Sequence, residues 1–154
     1  MHAITYGVSR DQMMALLGEG LDWVIIDEAW YGYARFNPMY RDRYAMRGSP
    51  TEHPADGPTV FATHSTHKLL AALSQTSYIH IRDGRGAIDH GRFNEAYCSQ
   101  ASTSPLYALI VSNDVTAAMM DGPGGLALGA GLLLLLLRPA LCENAGGSTP
   151  GGEA

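Results

Sequence analysis

Apolar and polar positions along the chain fall into short blocks, with no single period running through it. Asp11 to Leu17 has helical spacing, with Ser9 placed to cap it and Gly18 near its end. Trp23 to Ile26 is an unbroken, β-branched apolar run that stops at Asp27, the pattern of a buried parallel strand. Residues 31–58 are rich in aromatic, arginine, proline and glycine residues and predict a long loop with one helical turn. Thr59 to Thr63 predicts a second buried strand, Lys68 to Leu73 a short helix or turn, and Tyr78 to Arg82 a third strand. Arg92–Gln100 and Leu106–Met120 predict helices, the second with some strand propensity around Leu109–Val111. This alternation predicts α/β architecture with a mainly parallel sheet.

The character of the chain changes near Asp121. Residues 122–154 hold half of the 18 glycines, and the six leucines Leu132–Leu137 have no amphipathic period. From Ala145 the chain is Gly/Ser/Thr/Pro-rich and reads as a flexible tail. We therefore divide the sequence into a mixed region, 1–121, and a Gly/Leu-rich divergent tail, 122–154, expected to be partly disordered. No internal repeat is visible.

Composition narrows the possibilities without deciding among them. A chain of 154 residues with 46% hydrophobic and 16% charged residues has the length of one domain and can bury a core. The net charge of -5 gives no electrostatic footprint for nucleic acid. Cys98 and Cys142 form no metal-ligand spacing, which fits a reduced, cytoplasmic protein. No basic segment followed by an apolar stretch opens the chain, so no signal peptide is expected. The apolar run Leu126–Leu137 is short of the ~20 residues of a membrane span, and no membrane association is expected.

One residue type stands out. Lysine occurs once, at Lys68 in the string Ser65-Thr66-His67-Lys68, and all other basic residues are arginine. An amine condenses with a carbonyl at ordinary pH and a guanidinium does not. Any carbonyl cofactor held through a side chain must therefore use Lys68. Asp27 ends the first predicted strand and Ser65–Lys68 follows the second, on the edge where parallel sheets collect ligands. A pyridoxal phosphate site needs an amine, a carboxylate for the pyridine nitrogen, and donors for the phosphate. Lys68, Asp27, and Ser65 with His67 are candidates for these places. Other readings stay open on spacing alone. Asp27 suits a loop or a cap, and Ser65 and Thr66 suit a helix cap. His64 and His67 with Asp27 or Glu28 are a conceivable metal set, although no zinc signature is present. Trp30, Tyr31, Tyr33 and Phe36 suit packing under a loop.

Three longer strings carry more information: DEAWYGYARFNPMY (Asp27–Tyr40), FATHSTHKLLAALSQTSYIHI (Phe61–Ile81) and ASTSPLYALIVSNDVTAAMMDG (Ala101–Gly122). In order and approximate spacing they resemble the major domain of the bacterial ornithine/lysine/arginine decarboxylases. The degradative arginine-specific branch is nearest, through YGYARFNP, ATHSTHKLL and GRGAI. The resemblance runs from about Tyr6 to Gly125. It implies a partial pyridoxal phosphate fold-type I (aspartate aminotransferase-like) large domain with a mainly parallel sheet. It also implies decarboxylation of a basic amino acid, with arginine giving agmatine and carbon dioxide. By the same resemblance, Lys68 matches the cofactor-bonding lysine and Asp27 the aspartate paired with the pyridine nitrogen. Ala29 and Trp30 belong to the same cofactor-side motif, and Ser65 and His67 match residues around the phosphate. Thr103 and Ser104 match a segment that approaches the partner subunit's cofactor in homo-oligomers, dimers or larger. One proton consumed per turnover is why the family serves acid resistance.

The chain departs from the family in extent. The upstream glycine/serine phosphate cup, the histidine that stacks on the cofactor ring, and the C-terminal small domain are expected to be missing. We therefore expect a truncated fragment, from a shortened or frame-shifted reading frame, that binds cofactor weakly and is inactive alone. Two alternatives compete with this reading. One is a non-catalytic assembly fragment that associates with a full-length decarboxylase; the other is a different fold-type I enzyme such as an aminotransferase.

Overall fold

The computed structural model describes residues 2–3, 20–40, 42–128 and 130–131. The helix expected at Asp11–Leu17 lies outside these residues, as do residues 129 and 132–154 of the expected tail. Strands β1 (His2–Ala3), β2 (Trp23–Asp27), β3 (Thr59–His64) and β4 (Tyr78–Arg82) form one sheet in that order. The helices are α1 (Thr66–Leu69), α2 (His90–Gln100) and α3 (Tyr107–Met120). Residues 123–128 and 130–131 are also helical, beyond the boundary drawn at Asp121.

The sheet is mixed. β1 pairs with β2 and β2 with β3 in parallel, whereas β3 and β4 run antiparallel. This overturns the expected fold-type I large domain with a mainly parallel sheet. The connection from β3 to β4 explains the reversal. A parallel return needs a crossover connection that runs back along the sheet, usually as a helix. The only regular element in this connection is the four-residue α1, which rises ~6 Å against ~17 Å for a five-residue strand. The chain therefore turns back beside β3.

Strand β2, expected to be buried on both faces, is buried on one. Along β2, Val24 and Ile26 are buried, while Trp23 is 61% and Ile25 41% exposed. Period-two alternation sends the first pair into the core and the second pair to the other face. Val24, Ile26, Val60, Ala62 and Ala45 form the core, with Leu21 and Met46 packed against it. Ala45 and Met46 come from the long loop, which thus supplies the inner layer where the sequence suggested only a connection.

That loop is fastened by polar contacts. It holds two short 3-10 turns, Gly32–Phe36 and Pro50–Glu52, the second closed by a capping box between Ser49 and Glu52. The Arg82 guanidinium, nearly buried, donates to the carbonyls of Met46, Arg47 and Gly48. Gly84 packs against the loop's end, where a Cβ would collide with the Gly57 carbonyl oxygen. No side chain fits at that close approach.

Helix α2 begins with an Asp89 cap that accepts from the Arg92 amide. On α3 only Thr116 and Met120 are buried, and Tyr107, Val111, Val115 and Met119 leave an exposed apolar ridge at four-residue spacing. No described helix is long and apolar enough to cross a membrane.

Candidate cofactor edge

Parallel pairing of β2 and β3 puts their carboxyl ends side by side, with Asp27 opposite Thr63. Beyond that point the Ser65 amide donates to the Ala29 carbonyl at 3.2 Å, so the lysine segment is bonded to the segment after Asp27. Residues far apart in sequence thus share one sheet edge.

Asp27 is exposed; its Oδ1 accepts from the Ala29 amide at 3.0 Å and, at the limit of a hydrogen bond, from the Thr63 hydroxyl at 3.5 Å. Lys68, in α1, is half-buried and holds its Nζ 4.9 Å from the centroid of the Trp30 ring. A cation over an indole is held by the ring quadrupole. Among the described residues no carboxylate pairs with this ammonium. Ser65 occupies the N-cap position of α1, yet its side chain makes no capping bond. Thr66, the other candidate cap, is buried and donates to Asn113 Oδ1 at 2.7 Å, fixing α1 to α3. His67 bonds the Thr76 carbonyl through Nδ1 at 2.7 Å, which orients the ring and leaves Nε2 for another partner.

These features fit a carbonyl cofactor with a phosphate. The only lysine has no carboxylate partner among the described residues, a carboxylate sits at the neighbouring strand end, and a serine hydroxyl and an imidazole nitrogen are uncommitted to capping. Thr103 and Ser104 are different. Both are exposed in the turn before α3, where the Ser104 amide donates to Ser102 Oγ, and no described hydrogen bond ties them to this edge.

The imidazoles offered as metal ligands have other partners. His64 Nε2 lies 2.9 Å from Glu28 Oε2, with the two side chains 12% and 6% exposed. The second oxygen of Glu28 accepts from the Ala45 amide at 2.7 Å. His64 also rests against His80, ring centroids 4.7 Å apart, and His80 against Tyr78 at 5.6 Å. No group of three metal-ligating side chains occurs among the described residues. Of this cluster the sequence offers only His64 and Glu28 as candidates, and only as metal ligands. A signal was available: each directly adjoins a candidate site residue at a strand end. The aromatic set divides as well. Tyr31, Tyr33 and Tyr40 pack edge to face, while Trp30 stays 49% exposed beneath Lys68.

Burial, and then the neighbouring His64, push the His80 imidazole down to about 4. Between pH 6.5 and 4 the unfolded chain binds a proton at this position that the folded chain refuses. The contribution to stability is therefore complete above pH 6.5 and is lost as pH falls toward 4. Allowing for partial exposure, His80→Gln should remove about 2 kcal/mol of the stability difference between pH 7 and pH 4. Urea titrations of both proteins across that range measure it; parallel pH profiles would show that His80 carries no such linkage.

Known proteins share this chain's sequence and fold. The family description "Orn/Lys/Arg decarboxylase, major domain" matches residues 4–135. The chain is 66% identical over 113 residues to the biodegradative arginine decarboxylase of Escherichia coli (strain K12), covering 73% of this chain and 15% of that protein. Against lysine decarboxylase LdcA of Pseudomonas aeruginosa it is 52% identical, with the same shares covered. Among solved structures, the constitutive lysine decarboxylase of E. coli superposes with a TM-score of 0.74 at 32% identity, over 99% of this chain and 21% of that one. The chain thus spans about 15% of the length of the curated relatives it matches.

Proposed function

The chain belongs to the Orn/Lys/Arg decarboxylase family through its major domain, and on that premise we propose that it forms the cofactor edge of an arginine decarboxylase. Members of this family are pyridoxal phosphate-dependent amino-acid carboxy-lyases. The observation that carries the reading is the Ser65–Ala29 backbone bond, which joins the segment of the only lysine to the segment after Asp27.

Each residue has a definite task in this reading. Lys68 would hold the cofactor through its side-chain amine, the group that condenses with an aldehyde. Asp27 holds a proton on the pyridine nitrogen. Bound there, the cofactor supplies an electron sink for the pair left on the α-carbon as carbon dioxide departs. Ser65 and His67 face the phosphate, with the Ser65 hydroxyl as a donor, and Ala29 and Trp30 belong to the cofactor side of the edge. Thr103 and Ser104 serve a neighbouring subunit's site in a homo-oligomer. Residues 1–121 carry this machinery and 122–154 form a divergent extension.

Arginine is favoured over lysine because identity is 66% with the arginine decarboxylase and 52% with LdcA. Neither nucleic acid nor membrane has a part in the reading, and the cytoplasm is its proposed location. A second reading, an assembly piece that docks on a full-length decarboxylase, is supported by the exposed apolar ridge of α3.

Adding pyridoxal phosphate and recording the absorbance spectrum, then reducing with borohydride and mapping peptides, tests the first reading. The expected result is a new band near the visible edge and an adduct on Lys68, after which assays of carbon dioxide release from arginine, lysine and ornithine test the substrate. Label found only on the N-terminal amine would sink it. Co-purification with a full-length decarboxylase, without an adduct, would favour the second reading.

A further inference from the structure

Lys68 and Asp27 leave unused a buried carboxylate and a largely buried imidazole at the ends of β2 and β3. Glu28 follows Asp27, and His64 precedes Ser65. Asp27 is exposed while Glu28 is 6% exposed, so the two adjacent carboxylates face opposite sides of the edge. On the inner side Glu28 makes three connections: its amide donates to the Thr63 carbonyl at 3.1 Å, Oε1 accepts from Ala45, and Oε2 meets His64 Nε2 at 2.9 Å. The His64 ring in turn rests on His80 of β4. The pair therefore ties the ends of β2 and β3 to each other, to the loop and to β4.

Such a pair is an expensive way to fill a core. A buried carboxylate loses its hydration, and well-packed apolar side chains of similar volume often stabilise as well or better. What the pair adds is direction, because two hydrogen-bonded oxygens fix the Glu28 carboxylate in one orientation. We propose that Glu28 and His64 are positioning residues that hold the Ser65–Lys68 segment in register with Asp27, so that amine and carboxylate meet the same bound cofactor. This inference rests on the reading of Lys68 and Asp27 above.

The experiment uses the full chain and the variants Glu28→Ala, Glu28→Gln, His64→Gln and Val24→Ala. Val24 is buried on β2 away from the edge and serves as a control for loss of stability alone. Three quantities are read: the pyridoxal phosphate concentration that half-saturates the Lys68 adduct, the urea midpoint, and amide exchange at Ser65 without cofactor. Glu28→Ala and His64→Gln should raise the half-saturating concentration about tenfold or more and speed Ser65 exchange. Glu28→Gln keeps an acceptor for Ala45 and offers an N–H to His64, so it should recover to within about threefold of the parent. Val24→Ala should lower the midpoint yet leave adduct formation within about twofold.

Adduct formation in Glu28→Ala and His64→Gln equal to the parent's overturns the proposal. So does an equal loss in Val24→Ala, which would make the effect one of stability. If Glu28→Ala does not fold, His64→Gln decides by the same criterion. Failure of the parent itself to form the Lys68 adduct is a separate result, which removes the functional reading and this inference together.

Discussion

Replacing Lys68 by arginine is expected to abolish cofactor attachment while leaving the fold intact. Arginine keeps the positive charge and can keep the stacking on Trp30, so the change in unfolding free energy should stay within about 0.5 kcal/mol. Chemistry is what it removes. A guanidinium stays protonated and does not condense with an aldehyde under these conditions. Since the sequence has no other lysine, no side-chain amine remains to substitute for it. Borohydride-trapped label should therefore fall by about 100-fold or more, to the level of the N-terminal amine. Lys68→Ala loses the same label and also exposes the Trp30 face. A Lys68→Arg chain that still gave the visible-edge band would show that the band in the parent reports binding elsewhere.

Arg82→Met should destabilise the fold more than either Lys68→Arg or His80→Gln. The nearly buried Arg82 guanidinium serves three consecutive loop carbonyls, with Nη2 2.8 Å from Met46 O and 3.3 Å from Gly48 O, and Nη1 on Arg47 O. Gly48, at φ +73°, gives the loop the left-handed turn needed to bring the third carbonyl round. Burial lowers the arginine's pKa, but the group remains charged at neutral pH. Methionine preserves most of the side-chain volume and none of the donors. Charged hydrogen bonds of this kind contribute about 1.5–3 kcal/mol each, and partial rehydration of the carbonyls offsets some of the sum. A net loss of about 3–4 kcal/mol is expected, read as a lower urea midpoint with unchanged slope. Arg82→Lys should recover less than half, because its compact ammonium on a flexible stem lacks the planar fork that spans these carbonyls. A loss below about 1 kcal/mol would mean that Ala45 and Met46 hold the loop by packing alone.

The sequence revealed the elements more fully than their arrangement. Tyr78–Arg82 is a strand as expected, and β3 exceeds its expected span only by His64. The antiparallel direction of β4 was hidden because a strand's apolar pattern reads alike in both directions. Direction depends on the length of the connecting helix, and α1 is only four residues long. One-sided burial of β2 was hidden too: Trp23 and Ile25 are as apolar as Val24 and Ile26, and only packing separates them. The candidate site was legible where chemistry is rare, at the lone lysine and its neighbours. Its inner support was not, since Glu28 and His64 are ordinary residues that acquire a role by meeting across two strands. The loop at 31–58 resisted for a related reason. Its part in the core depends on Ala45 and Met46, which carry no periodic signal.

The reversal at β4 also bears on the order in which the sheet assembles. β3 and β4 are separated only by residues 65–77, whereas joining β2 to β3 requires closing the longer segment 28–58. Shorter closures cost less entropy and form sooner. The β3–β4 pair, with the lysine segment as its connection, is therefore the expected nucleus. The strand that ends in Asp27 docks onto it afterwards, so the amine's side of the edge is built before the carboxylate arrives.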